Sequence, residues 1–158
     1  MTPSPPADST ALASAVRVAM SRAGRRQTPI LPPRDAAELS TAQAEAARLV
    51  AQMYATHSHR APHERGTHIG QAVRIVSVRR GPAIEHRVHQ LLARNSSPGR
   101  LTRTLRPVVA LCAMERCGFD YVALTYDIVR LLEGDGTLVA RRWGREIHGD
   151  PANKVSTP

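Results

Sequence analysis

The stretch "LTRTLRPVVALCAMERCGFDYVALTYDIVRLL", residues 101–132, decides the fold. Leu101, Leu105, Val108 and Cys112 fall near 80–140° from Arg100, an arc of about 60°, on a helical wheel turned ~100° per residue. That is one apolar stripe, and it runs from Arg100 to Cys117 before Gly118 stops it, with Pro107 expected as a kink or restart. Asp120 then stands where a helix cap belongs. Behind it, Tyr121, Val122, Leu124, Ile128, Val129, Leu131 and Leu132 trace a second stripe, closed by Gly134-Asp135-Gly136. Two amphipathic helices joined by a tight turn leave no room for strand-like alternation.

The same punctuation extends in both directions. A helix from Ser9 or Thr10 carries Leu12, Val16, Ala19, Met20 and Ala23 on one face and ends at Gly24. "QTPILPPRD" interrupts regular structure with three prolines. Ser40-Thr41-Ala42-Gln43 matches a capping box, and Ala46, Leu49, Val50, Met53 and Tyr54 follow. Ile69, Ala72, Val73 and Val76 mark a short helix ending by Gly81. Pro82 suits the first turn of the next, which buries Ile84, Val88, Leu91 and Leu92 and fails at Asn95-Ser96-Ser97-Pro98-Gly99. Thr137 is expected to cap a last helix to about His148. The expectation is an all-α, compact bundle of six or seven helices in two halves. Residues 9–148 form one helical domain (9–56, a loop at 57–66, then 67–148) between disordered tails at 1–8 and 149–158.

Composition agrees: 42% of residues are hydrophobic but only 3% aromatic, so aliphatic and alanine packing must build the core. Helices suit that better than strands, which favour aromatic and β-branched residues. No apolar run approaches a membrane span and the N-terminus lacks a signal-peptide core, so the chain reads as soluble and cytoplasmic. Cys112 and Cys117 are too few for a disulfide framework. Cys112 falls on the apolar stripe, where a free cysteine acts as a small hydrophobe.

Charge is the functional clue. The formal net charge is +9 and Lys154 is the only lysine, so the excess is guanidinium, a planar fork that grips phosphate oxygens in pairs. Genomic G+C content also inflates arginine, so arrangement has to separate the two readings. Arg100, Arg103 and Arg106 form a stripe roughly opposite the apolar one, with no acidic residue before Glu115. Arg141, Arg142 and Arg145 share an arc of ~100° away from Val139, Trp143 and Ile147. Arg80, Arg87 and Arg94 recur every seven residues. A solvated helix face normally mixes signs. Unopposed stripes cost self-repulsion, which a polyanion would relieve.

"HSHRAPHERGTH", residues 57–68, raises a metal question with four histidines in twelve positions. A helical zinc site needs two histidines four residues apart. His63 and His68 are five apart, ~140° around a helix. A loop site built on His57, His59 and His63 would lack a dependable fourth ligand. No nucleophile elbow, P-loop, dinucleotide fingerprint or paired carboxylates occur either, so the reading is no enzyme, no cofactor and no metal. Two alternatives remain open to this pattern: a free-standing basic helical protein of architectural type, and a zinc-dependent hydrolase using the 57–68 histidines. As exposed groups, His57, His59, His63 and His68 are expected to add positive charge at mildly acid pH.

The order of these segments resembles the CasB family, the small subunit of the type I-E CRISPR Cascade complex. "THIGQAVR" is similar to the family's "SLGxALxR" segment, "IEHRVHQLLA" to its "xERRFxxLLxA" helix, and residues 101–132 to "LxxxLRxxVxLLxxxGxxLDWxxLxxDLxxW". "RRWGREIH" resembles its "RRWxRDFY" ending, and "ALASAVRVAMSRA" and "AARLVAQMYATH" fit more loosely, so about residues 11–148 are covered. The chain departs from the pattern at Val18, His68, Pro107, Tyr121 and Leu132. The resemblance implies a non-catalytic helical subunit, present as two copies beside other Cascade subunits and the guide RNA. It would hold the guide RNA–target DNA hybrid and the displaced strand, stabilising the R-loop, while a separate nuclease cuts. Carried over by position, Arg17, Arg74, Arg87, Arg103, Arg106, Arg141, Arg142 and Arg145 would contact phosphate. The bottom-up stripes add Arg22, Arg80, Arg94 and Arg100. Arg142 and Arg145 have a competing role, bracing the subunit against Glu146 or Asp127.

Overall fold

The computed structural model describes residues 7–24, 39–92 and 97–149. Among them are seven helices: α1 (Ala7–Gly24), α2 (Thr41–His57), α3 (Ile69–Arg80), α4 (Ala83–Leu92), α5 (Pro98–Met114), α6 (Tyr121–Leu132) and α7 (Gly136–His148). The all-α expectation holds, and the described residues contain no strand, only an isolated parallel bridge between His63 and Phe119. The proline-rich "QTPILPPRD" and most of both expected tails lie outside the described residues.

Local chemistry sets the boundaries. The Ser40 Oγ accepts from the Gln43 N–H at 3.2 Å while Gln43 Oε1 accepts from the Ser40 N–H at 3.0 Å. This reciprocal box satisfies two N–H groups that the first turn would otherwise orphan. Asp120 Oδ1 accepts from the Ala123 N–H at 3.0 Å, starting α6. α3 ends on Gly81, whose φ of 96° is left-handed and open to glycine at little cost.

Three boundaries differ from the sequence reading. Ser97 is a cap rather than loop, its Oγ accepting from Arg100 N–H at 3.4 Å, and Pro98 opens α5. The cap before α7 is Asp135, not Thr137, which lies in the first turn. α5 also runs on through Pro107 instead of restarting there. A proline inside a helix costs ~3 kcal/mol or more. Leu101 and Leu105 before it and Val108, Val109 and Cys112 after it are all buried. At ~1.5–3 kcal/mol for a fully buried aliphatic side chain, that packing outweighs the lost hydrogen bond.

Buried apolar side chains from all seven helices form a single cluster. α1 pairs with α2, which reaches the rest through α6 and α5; α3 packs on α7, and α4 on α5. The stripes foreseen on α3 (Ile69, Ala72, Val73, Val76) and α7 (Val139, Trp143, Ile147) are all buried. Gly70 allows α3 to approach α7 closely. A Cβ there would stand 2.4 Å from Glu146 Oε2 and 2.7 Å from Glu146 Cβ.

The histidine-rich segment is not a loose loop. Its backbone is stitched to the α5–α6 turn: Glu64 N–H donates to Phe119 O (3.0 Å), Phe119 N–H to Pro62 O (3.2 Å) and Asp120 N–H to Thr67 O (2.7 Å). Tyr121, fully buried, donates its hydroxyl to Ala61 O at 2.7 Å and meets Tyr54 edge-on. Burial pushes the Tyr121 phenol upward from its ordinary value.

Candidate nucleic-acid interface

The acidic residues decide which arginines stay available. Asp127, 3% exposed on α6, accepts from Trp143 Nε1–H at 2.8 Å and binds the Arg142 guanidinium. Arg142 Nε also lies 3.5 Å from Glu146 Oε1, which receives the Nδ1 of His68 at 2.6 Å. His68, Glu146, Arg142, Asp127 and Trp143 thus form one chain of polar contacts tying the start of α3 to α6 and α7. Arg80 pairs with Glu115, which Arg79 also approaches at 3.7 Å. Arg142 and Arg80, two of the foreseen phosphate ligands, therefore already hold carboxylates of their own chain. For Arg142 this is the bracing role, taken up with both Asp127 and Glu146.

The remaining arginines stand differently. Arg17, Arg74, Arg87, Arg100, Arg103, Arg106, Arg141 and Arg145 are exposed, and among the described residues none has a carboxylate within ion-pair reach. Arg22 is half-buried, and Arg94 lies outside the described residues. Arg145 does not join the Asp127 network, because it projects from α7 beside Arg141, one turn apart, away from the Trp143 face. Arg74 extends along the end of α7, its guanidinium lying where a side chain on Gly149 would have to go.

Arg103 and Arg106 come together with α2. Arg106 donates to Gln52 Oε1 at 3.4 Å, and both arginines border a groove of about 480 Å³ shared with Met53, Thr56 and His57. Sequence spacing foresaw the arginine stripe but not this groove. The α2 partners lie some fifty positions away, and no periodicity reports that distance.

The histidines divide by environment. Burial, then His59 and Arg106, hold His57 below the ordinary imidazole range, so it is neutral near pH 7. His63 Nδ1 accepts from the Tyr121 N–H at 3.2 Å and lies 3.9 Å from Asp120 Oδ1. The sequence reading that all four histidines add charge at mildly acid pH is thus corrected for His57. Among the described residues no three His, Cys, Asp or Glu side chains converge to hold a metal. Cys112 and Cys117 are both buried free thiols, and burial pushes the Cys112 thiol up to about 12, leaving it without nucleophilic thiolate. No described helix is long and apolar enough to cross a membrane.

Comparisons with known proteins converge on one family. The family model described as CRISPR-associated protein Cse2 matches residues 8–148. The fold is similar to the crystal structure of CasB from Thermobifida fusca, with TM-score 0.69, 21% identity and 89% of this chain and 97% of that one covered. It is also similar to a CRISPR-associated Cse2-family protein from Thermus thermophilus, with TM-score 0.59, 25% identity and coverage of 89% and 87%. No curated protein sequence matches the chain.

Proposed function

The chain belongs to the CRISPR-associated Cse2 family, and from that premise we propose that it is the non-catalytic small subunit of a type I-E Cascade complex. In this reading it works in the cytoplasm, two copies beside the other Cascade subunits and the guide RNA. It clamps the guide RNA–target DNA hybrid and the displaced strand through arginine–phosphate contacts, so stabilising the R-loop. The observation that carries the reading is the spending of carboxylates. Glu115, Asp127 and Glu146 are engaged inside the subunit, while the exposed arginines of α1, α3, α4, α5 and α7 named above have none among the described residues. Such a surface gains most from a polyanion, because phosphates supply the counter-charge that the protein withholds.

The contacts would fall on phosphate rather than base edges. Phe119, Tyr121 and Trp143 are buried, so the large aromatic platforms that read single-stranded bases by stacking are turned into the core. Guanidinium groups on helices position a backbone without reading its sequence. Arg17, Arg74, Arg87, Arg100, Arg103, Arg106, Arg141 and Arg145 are the proposed ligands, with Arg22 and Arg94 as further candidates. Arg80 and Arg142 act chiefly as internal braces.

The test is the double substitution Arg103→Glu with Arg106→Glu in the assembled complex. Target-DNA retention should fall while the isolated subunit keeps its helical content and melting temperature. Unchanged R-loop lifetime in that variant would refute this placement. Co-purification separates this reading from a free-standing DNA- or RNA-binding protein. The subunit reading expects the chain to travel with large partners and a short RNA.

A further inference from the structure

The groove between α2 and α5 has a composition that phosphate binding by itself does not need. Its floor is apolar: Met53 is 2% exposed, and Pro107 and Ala110 complete it. Its mouth carries Arg103 and Arg106, and its polar edge carries Thr56 and His57. A volume of about 480 Å³ lies within the ~300–1,000 Å³ of small-ligand sites. An apolar slot beneath two cations without carboxylate partners among the described residues fits a flat, weakly polar body joined to an anion. Within a nucleic acid, that body is a base and the anion its phosphate.

We propose that this groove takes an unstacked nucleobase from a single strand whose neighbouring phosphates are held by Arg103 and Arg106. The proposal rests on the phosphate-binding reading above and extends it from the backbone to one base. A duplex keeps its bases stacked and paired, so only a single strand can offer one, and the groove would favour a displaced strand over a double helix. The pyrrolidine face of Pro107 and the imidazole of His57 provide the flat surfaces, since histidine and guanidinium planes both stack on bases. His57 offers one donor and one acceptor when neutral. Gln52 uses its Oε1 to orient Arg106, which leaves its NH₂ free to meet a base edge. Pro107 thereby has a reason to sit in mid-helix, as rigid apolar floor.

The experiment uses the full chain and three fluorescein-labelled probes of equal phosphate number: a 12-nucleotide single strand, the same strand with abasic sites, and a duplex. Anisotropy titrations should show the base-bearing strand binding about five- to tenfold tighter than the abasic one, in line with typical single-base stacking. Filling the groove with Ala110→Leu should abolish that preference and leave abasic affinity unchanged. Thr56→Ile, at an exposed rim position, repeats the test without touching the helix packing. Arg103→Gln with Arg106→Gln should weaken both single strands alike. Equal affinity for base-bearing and abasic strands, or a preference that survives both filled variants, overturns the groove assignment while the phosphate reading stands. If neither strand responds to the arginine pair, or none binds at low salt, the phosphate reading falls and the groove proposal with it.

Discussion

Gly70→Ala sets two effects of opposite sign against each other. Alanine is the better helix former by ~1 kcal/mol, so propensity alone predicts stabilisation. Against this, the added methyl would stand 2.4 Å from Glu146 Oε2 and 2.7 Å from Glu146 Cβ. The carboxylate can swing away, but only by leaving His68, which it holds at 2.6 Å. The Cβ cannot swing, because it is fixed to the α7 backbone, so α3 and α7 must separate. Overpacking of this kind costs ~1–3 kcal/mol, and loss of a charge-assisted hydrogen bond a further ~1.5–3. The net is destabilisation of about 1.5–5 kcal/mol, a fall in Tm of roughly 3–20 °C for a chain of this size. Thermal unfolding followed by circular dichroism measures it. The mechanism is checked by background. Glu146→Ala keeps the offending Cβ and should rescue only part, whereas in a Glu146→Gly background Gly70→Ala should become neutral or mildly stabilising. A raised Tm for Gly70→Ala alone, or the same cost in all three backgrounds, would refute the close approach of the two helices.

Other expectations follow from the same contacts. Asp127→Ala leaves the Trp143 N–H without its acceptor and the Arg142 guanidinium with Glu146 alone, and should cost about 3 kcal/mol by denaturant unfolding. Asp127→Asn, which keeps an acceptor for the indole, should cost less. Ser40→Ala removes one half of the α2 capping box and should cost ~1 kcal/mol, with protection lost first in the opening turn of α2 by hydrogen exchange. Two groups set the acid limb of stability. Burial opposes ionisation of Asp120, but the Gly66 and Ala123 N–H groups and His63 prevail and hold its carboxyl below the ordinary value. The stabilisation from Asp120 is therefore complete above its unfolded value near pH ~4 and is lost as pH falls through the lower folded one. His57, depressed likewise, adds nothing above pH ~6.5 and penalises the fold as pH falls through its own folded value. NMR titration should find the His57 imidazole below the ordinary range, and Arg106→Gln should move it upward.

The all-helical class and the apolar stripes were legible in residue spacing, because burial of one face obeys the 3.6-residue period wherever the partner lies. Caps such as Ser40 and Asp120 were equally legible, being bonds over three residues. At Pro107 spacing left a kink or a restart open, and the packing on either side, which carries the helix through, rules out only the restart. The order of the motifs likewise carried the family. What the sequence could not express is who neutralises whom. Asp127 and Arg142 are fifteen positions apart, Arg80 and Glu115 thirty-five, Arg106 and Gln52 fifty-four. A wheel drawn for α7 places Arg141, Arg142 and Arg145 on one arc, yet only the approach of α6 and α3 sets Arg142 apart as a brace. His57 departed from the sequence reading for the same reason: its burial and the approach of His59 and Arg106, which hold it low, are set by folding. Spacing along one helix determines which residues share a face, but electrostatic free energy depends on distance through space, and only the tertiary structure assigns that distance.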